Sequence, residues 1–499
     1  MENEAVTYRL SSIDQSLIRA YVRYALCFPC KGEEEGVQER VGKSLRENVK
    51  RAVTYMPILA GGVYDLDVEA EGESSGDDYD DEDSDSEEEG DGYSHVDEPK
   101  GKVDSGEQRG RAEARVTHAQ VNDFEPTIKV LSDEEFPHTY EELSKAKMPA
   151  NVLINEALTP LPDSPSNEDS SAPAFAVQAN FIEGGVIVCF YVHHSVADLK
   201  GLAEVIRIMS GVLPKVKVPE TLQEDAKHQA HLRDRLSGSR GVKANLNEHP
   251  EYDVAIRKSL APSKGTSRVL TFSREMLDGT KEMVRERFHF EHDEPGVHLS
   301  GFDCLAAILW KAITRARWPT NLNMNGLRSR IFIPVDMAKR MEQELPDDFH
   351  GNSVLFGCVD DPVSHLIAPF GVGTLSGIAR RIREATSSMT DAKARSAIAI
   401  INEAEDVKTL NHPNIDFSTD VFITNWANLP VGDETTLGLG LGEPEWTRKV
   451  SRNQSAYGCV LLPLKDDPKV WEVMVSLTDE AMERLLGDVG LAPFVLHVA

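Results

Sequence analysis

The chain has 499 residues, 40% of them hydrophobic, and a formal charge of −30. That length exceeds one ordinary core, so two domains are expected. Eighteen acidic residues and no Lys or Arg fall between Asp65 and Glu98, leaving −12 elsewhere, and an acidic remainder excludes general nucleic-acid binding, which needs a basic footprint.

Residues 10–29 open the chain as a helix-or-strand block. Cys27-Phe28-Pro29-Cys30 has redox-motif spacing there but lacks the βαβ setting of such a motif. Residues 41–53 carry a helical pattern with Leu45, Val49 and Val53 on one face, and 56–63 read as a turn into a strand. The acidic stretch, taken as 66–114, has too little apolar content to fold and is expected to be a disordered, solvated insertion between two strands. Polar residues 161–172 lead into two β-prone runs, 174–181 and 186–192, joined at Glu183-Gly184-Gly185 as a hairpin. Leu199, Leu202, Val205, Ile206 and Met209 then recur at helical spacing.

Residues 222–265 are rich in charge, Gly and Pro. They read as a crossover between an N-terminal domain (1–221) and a C-terminal domain (266–499). Beyond it, 267–272 reads as a strand and 275–288 as a helix. A second helix, 302–315, is lined by Leu305, Ile308, Leu309 and Ile313. Residues 330–335 form a strand, 373–389 a helix, 459–463 and 470–477 a strand pair, and 479–486 a last helix. Strands and helices mix without regular alternation.

Six cysteines in so long a chain do not make a disulfide framework. Cys189, inside a strand, reads as a small buried hydrophobe. His289 and His292 lie among acids without further ligands, so no metal site is expected. The first residues lack the basic start and apolar core of a signal peptide, and no apolar run approaches the ~20 residues that span a bilayer. The expectation is a cytoplasmic protein with no membrane partner.

Chemistry concentrates at residues 190–198, Phe-Tyr-Val-His-His-Ser-Val-Ala-Asp, where a histidine ends an apolar strand and a carboxylate follows four residues on. His-x-x-x-Asp occurs four times, at His194/Asp198, His249/Asp253, His289/Asp293 and His412/Asp416. The last three sit in polar or proline-punctuated stretches that read as solvated loops, and only His194 follows a buried-type strand. Imidazole, with an ordinary pKa of ~6.5, suits a general base, though histidines at strand ends also serve as satisfied core residues. Asp198 has a structural reading as the N-cap of the next helix.

Several segments then match one family in order. They are Leu10-Ser11-Ser12-Ile13-Asp14-Gln15 through Cys27-Phe28-Pro29, Leu45-Arg46-Glu47-Asn48 through Leu59-Ala60-Gly61, His193-His194-Ser195-Val196-Ala197-Asp198, and Leu437-Gly438-Leu439-Gly440-Leu441-Gly442-Glu443-Pro444. Ser300-Gly301-Phe302-Asp303 and the run from Pro346 to Asn352 add to them. Together they resemble the BAHD acyltransferase superfamily, and within it the fungal branch of the trichothecene 3-O-acetyltransferases.

The resemblance implies two related mixed-sheet α/β domains of the chloramphenicol-acetyltransferase-like type with an interdomain tunnel. It implies His194 as general base in a ternary complex, acyl-CoA (acetyl-CoA) as co-substrate with no tightly bound cofactor, a small-molecule acceptor that is a secondary metabolite acetylated on a hydroxyl, and a monomer. Asp198 becomes structural support, paired with an arginine of the other domain. That arginine is expected near Ala338, so either Arg340 substitutes or the pair is missing.

The chain departs from the family elsewhere. Leu199 stands where a glycine follows the motif aspartate, with Gly201 two positions later. Thr436 and Leu439 stand where the second motif carries Asp and Trp, which removes an indole donor to the oxyanion. Backbone N–H groups, Thr424 or Asn425 are the substitutes. Arg340, Thr424, Asn425, Gly438 and Gly440 are therefore the residues assigned to the acyl-CoA side, although the glycines also read as a plain loop. Lys264, Arg328, Lys339, Arg448 and Lys449 are further candidate cations for CoA, each equally readable as a solvated charge. Two rivals stand beside this reading. One is a condensation-like enzyme using a carrier-protein thioester, and the other is a non-catalytic binding protein on the same scaffold.

Overall fold

Strand β1 (Val6–Tyr8) and the short helix α1 (Ser12–Ser16) lead into β2 (Tyr21–Pro29), in a computed structural model that describes residues 4–30, 36–67, 108–166, 169–215, 217–252, 264–292, 298–318, 326–410, 413–454, 458–464 and 469–499. Most of the acidic insertion (68–107) lies outside these residues, as do Asp253, Asp293 and His412 of the other His-x-x-x-Asp repeats. Helix α2 (Val37–Tyr55) follows, then β3 (Gly62–Asp65), β4 (Ala112–Val116), β5 (Thr127–Val130), β6 (Ser171–Pro173), β7 (Phe175–Ile182) and β8 (Gly185–His193).

β2 and β8 pair antiparallel from Tyr21↔His193 to Pro29↔Gly185, so His194 emerges where the central pair of the first sheet ends. The β7–β8 hairpin closes through Glu183-Gly184 with Gly184 at φ +77, a left-handed conformation that glycine adopts without steric cost. β3 and β4, which flank the insertion, pair with each other in a small sheet of order β1-β4-β3-β6.

Helix α3 (Leu199–Met209) starts directly after the His194 loop, and α4 (Leu222–Arg233) begins the stretch expected to be crossover. That stretch differs from the expectation. Its first twelve residues form this α-helix, with Leu222, Asp225, Ala226, Gln229, Leu232 and Arg233 buried. Half of this buried face is polar, so the sequence carries no apolar stripe to announce a helix.

The second half is built on β9 (Thr266–Ser273), β10 (Arg328–Asp336), β11 (Val354–Pro362), β12 (Val421–Asn425), β14 (Cys459–Leu461), β15 (Val470–Leu477) and β16 (Val495–Val498), in the order β11-β10-β12-β14-β15-β9-β16. The sheet is mixed, with β12 parallel to both neighbours. Helices α5 (Arg274–His292), α6 (Gly301–Arg317), α7 (Val372–Ser387) and α9 (Asp479–Leu486) close one face over a core that includes Leu305, Ile308, Leu309 and Ile313. Helix α8 (Asp391–Glu403) packs Ala397, Ile398 and Ile401 with Ile13 of α1 in a separate cluster.

The halves interlock. Strand β13 (Trp446–Arg448), late in the chain, pairs with β2 and completes the first sheet as β13-β2-β8-β7-β5. Leu45, Val49 and Val53 of α2 share a core with Leu202, Val205 and Ile206 of α3 and with Trp426, Leu437, Leu439, Val460 and Leu462 from beyond β11. Among the described residues no helix is long and apolar enough to cross a membrane.

Candidate active site

His193 and His194 are neighbours with different environments. His193, 1% exposed, closes β8. Its Nδ1 accepts from the Ser195 backbone N–H at 3.2 Å, and its ring meets Tyr21 edge-on. Burial, with the Arg19 guanidinium and His194 adding, pushes its pKa down to about 3. It is a neutral, structural imidazole. Arg19 braces the same loop by donating to Ser195 Oγ.

His194 is partly exposed, and its backbone N–H donates to Ala20 O at 2.8 Å. Its Nδ1 lies 3.2 Å from Asn352 Oδ1. Asn352 is fully buried in the loop before β11. Its Nδ2 donates to the His194 carbonyl and to Asp14 Oδ1, both at 2.7 Å, and its backbone N–H donates to the same Asp14 oxygen at 2.9 Å. The other carboxylate oxygen of Asp14 accepts from Ser11 N–H (2.9 Å), Ser11 Oγ (2.8 Å) and Arg233 Nε (3.1 Å).

Helix α4 holds the Asn352 loop from outside. Arg233 donates to His350 O at 2.9 Å, while Gln229 donates to Asp348 O and accepts from His350 N–H. His194 is thus held by residues from α1, α4, the β8–α3 turn and the β10–β11 connection. Asn352 stood in the sequence only as part of a resembling segment, and Arg233 carried no signal there.

Asp198 caps α3 as the cap reading expects. Its Oδ1 accepts from Lys200 N–H (2.9 Å) and Gly201 N–H (3.1 Å), and its Oδ2 from Ser353 N–H (3.3 Å). Burial raises its pKa, and the Gly201 and Ser353 N–H groups oppose that shift. The pairing with an arginine is not formed among the described residues. Arg340 is exposed and donates to Thr386 O and Met389 O instead. A backbone N–H from the second half therefore meets Asp198, one residue beyond the Asn352 that holds His194. Asp198→Ala is expected to cost about 1–2 kcal/mol through the lost cap, more than Asp198→Asn, which keeps an acceptor. Urea unfolding of both variants measures the difference, and equal losses would contradict the capping role.

The second motif docks on α2 and the C-terminal end of α3. Leu437 O accepts from Asn48 Nδ2 at 2.9 Å, and Leu437 N–H donates to Ser210 Oγ at 3.0 Å. Gly438 has φ +60, and a Cβ there would stand 2.7 Å from Asn48 Nδ2. Gly440, at φ +74, continues the same loop, so the loop reading of both glycines describes what is seen. Asn425 Oδ1 accepts from Ala427 N–H in a local turn. Thr424 alternates with Ile423, which enters the helix-covered core, and so shares the opposite face of β12 with Phe422, which packs against the cluster of Leu17, Phe332 and Phe356.

Of the candidate cations, Arg448 is buried and committed to Met148 O, Lys147 O and Glu472. Arg328 and Lys339 pair with surface carboxylates. Burial pushes Lys449 down to about 7. His249, expected in a solvated loop, is fully buried with its Nδ1 2.8 Å from Glu251 Oε1. Two polar residues two positions apart pair there, which a composition reading misses. Among the described residues no cluster of three metal-binding side chains occurs. A cavity of about 630 Å³ lined by Cys30, Val37 and Phe181 opens at the turn end of the β7–β8 hairpin, a strand length from His194.

The buried histidines make stability depend on pH. His350, like His193, is held down, to about 4, by burial and then by Arg233. Against an ordinary value of 6.5, both stay neutral in the fold while their unfolded counterparts take protons. The unfolded chain then binds more protons, so stability is full above about 6.5 and falls as pH drops toward 4. The melting temperature is expected to decline already between pH 6.5 and 5, before most carboxylates titrate. A flat profile in that window would contradict the neutral assignment.

A family model described as the Transferase family matches residues 139–489. Eremophilane O-acetyltransferase prx11 of Penicillium rubens is 24% identical over 412 residues, spanning 75% of this chain and 83% of that protein. Trichothecene 3-O-acetyltransferase TRI101 of Fusarium sporotrichioides is 24% identical over 398 residues, spanning 76% and 82%. The solved structure of F. graminearum TRI101 complexed with coenzyme A and T-2 mycotoxin superposes with a TM-score of 0.73 at 18% identity, covering 98% of this chain and 99% of that one, which shows a shared fold.

Proposed function

Since the chain belongs to the Transferase family of BAHD acyltransferases, we propose that this acyl-CoA-dependent acyltransferase acetylates a hydroxyl of a small secondary metabolite with His194 as general base. The observation that carries the reading is the Asn352 Oδ1 beside His194 Nδ1 at 3.2 Å. With Nδ1 occupied, Nε2 is the nitrogen left to take a proton.

Acetyl-CoA and the acceptor would meet at His194 in a tunnel between the halves. The acceptor oxygen attacks the thioester carbonyl carbon while its proton passes to Nε2. The carbonyl π pair moves onto oxygen, giving a tetrahedral oxyanion. Collapse breaks the C–S bond, and the proton on Nε2 goes to the departing sulfur, leaving an ester and the CoA thiol. Such a base supplies on the order of 10²–10⁴-fold, and orienting both substrates supplies more. The Thr424 hydroxyl, on the face of β12 opposite the helix-covered core, is the proposed donor to the oxyanion. Asp198 supports the loop from behind. The reading includes action as a cytoplasmic monomer.

The test is acceptor-dependent release of CoA thiol from acetyl-CoA across a panel of hydroxylated and amino metabolites, with the acetylated product identified by mass. Ester products support the reading, and amide products replace the hydroxyl acceptor by an amine. No release from acetyl- or longer acyl-CoAs by folded protein overturns it.

A further inference from the structure

Asp14 is used on both oxygens for different purposes. Oδ2 closes the N-terminus of α1 through Ser11 and receives Arg233. Oδ1 is given over to Asn352, whose backbone and side-chain N–H groups both reach it. A helix cap needs only the first oxygen.

The second oxygen decides which way the Asn352 amide faces. Its NH₂ edge meets the Asp14 carboxylate and the His194 carbonyl, two groups that accept as placed. Turned over, the amide would set an oxygen against both, leaving Asp14 Oδ1 with only the Asn352 backbone N–H and taking from the His194 carbonyl its amide donor. Asn352 Oδ1 must then face the imidazole, and an amide oxygen there requires a proton on Nδ1. The carbonyl alone would hold the amide by a single bond. The carboxylate is itself immobile, since Asp14 is 0% and Arg233 2% exposed at the side chain.

We infer that Asp14, braced by Arg233, is a positioning residue that sets the tautomer of His194 through the Asn352 amide, keeping the proton on Nδ1 and the lone pair on Nε2. Asp14 touches no reacting atom. Its oxygen and the Asn352 amide come from residues 338 positions apart, so the correct tautomer exists only when the two halves are docked. This inference rests on the reading of His194 as the base.

The experiment is ¹⁵N NMR of histidine-labelled protein without substrate, with His194 assigned by its loss in His194→Gln. Wild type is expected to show a protonated Nδ1 and a bare Nε2, and the reverse overturns the inference without any variant. Asp14→Asn frees the amide to turn, so a shift toward the Nε2–H tautomer is expected. With it, kcat should fall on the order of 10²-fold, part of the general-base contribution, at unchanged KM for acetyl-CoA. Should Asp14→Asn not fold, Asp14→Glu, which keeps the charge but displaces the oxygen, is expected to shift the tautomer likewise. A folded Asp14 variant with lower stability and a wild-type tautomer reduces Asp14 to a cap and overturns the inference. Because the tautomer is read without substrate, failure of wild type to turn over any acceptor would sink the acyl-transfer reading alone.

Discussion

His194→Ala is expected to lower kcat/KM for acyl transfer by about 10²–10⁴-fold while leaving the fold intact. The side chain makes one hydrogen bond, to Asn352 Oδ1. The backbone bonds that hold the residue, to Ala20 O and from Asn352 Nδ2, survive the substitution. Neighbouring His193 cannot take over, because it is buried, its Nδ1 is occupied by Ser195 N–H, and its pKa is pushed down to about 3. The residual rate should be the orientation that the two substrates still receive. Steady-state release of CoA thiol measures the loss beside the melting temperature. A folded variant within ~10-fold of wild type would place the base elsewhere.

Arg233→Met is expected to be the most destabilising single change at the site, costing about 3–5 kcal/mol. Arg233 and Asp14 are 2% and 0% exposed at the side chain, so removing the guanidinium leaves a carboxylate in a dry setting with only Ser11 and Asn352 as donors. His350 O loses its donor as well. Removing one partner of a buried pair costs more than replacing both, so Arg233→Met/Asp14→Asn should be less destabilised than the sum of the single changes. Urea unfolding of the four proteins closes that cycle. Additive losses, or a loss below ~1 kcal/mol for Arg233→Met, would show that the pair does not hold the loop.

Much of the scaffold was legible in the sequence. The β7–β8 hairpin announced itself by two β-prone runs around Glu183-Gly184-Gly185, and α3 by five apolar residues at helical spacing behind a capping aspartate. In α2 the apolar stripe and the buried face coincide. Each of these is a local pattern whose buried side is apolar. Helix α4 broke that rule because Asp225, Gln229 and Arg233 face inward. β13, three residues long, has no pattern to read and is defined only by its pairing with β2. The arginine sought near Ala338 was replaced by a backbone N–H of Ser353, and a main-chain donor leaves no mark in the identity of a residue.

Two features, then, came from the sequence by itself: the strand-ending histidine with its helix-capping aspartate, and the ordered segments that pointed to the family. The first rests on a spacing of a few residues, where local chain geometry places the groups, and the second on the resemblance of segments taken in order along the chain. Only the tertiary structure decided how the histidine is held. Asn352 lies 158 positions from His194 and 338 from Asp14, and such distances are bridged by the docking of the two halves rather than by any local periodicity. Burial then gives those hydrogen bonds their importance, since a buried polar group must find a partner in the fold.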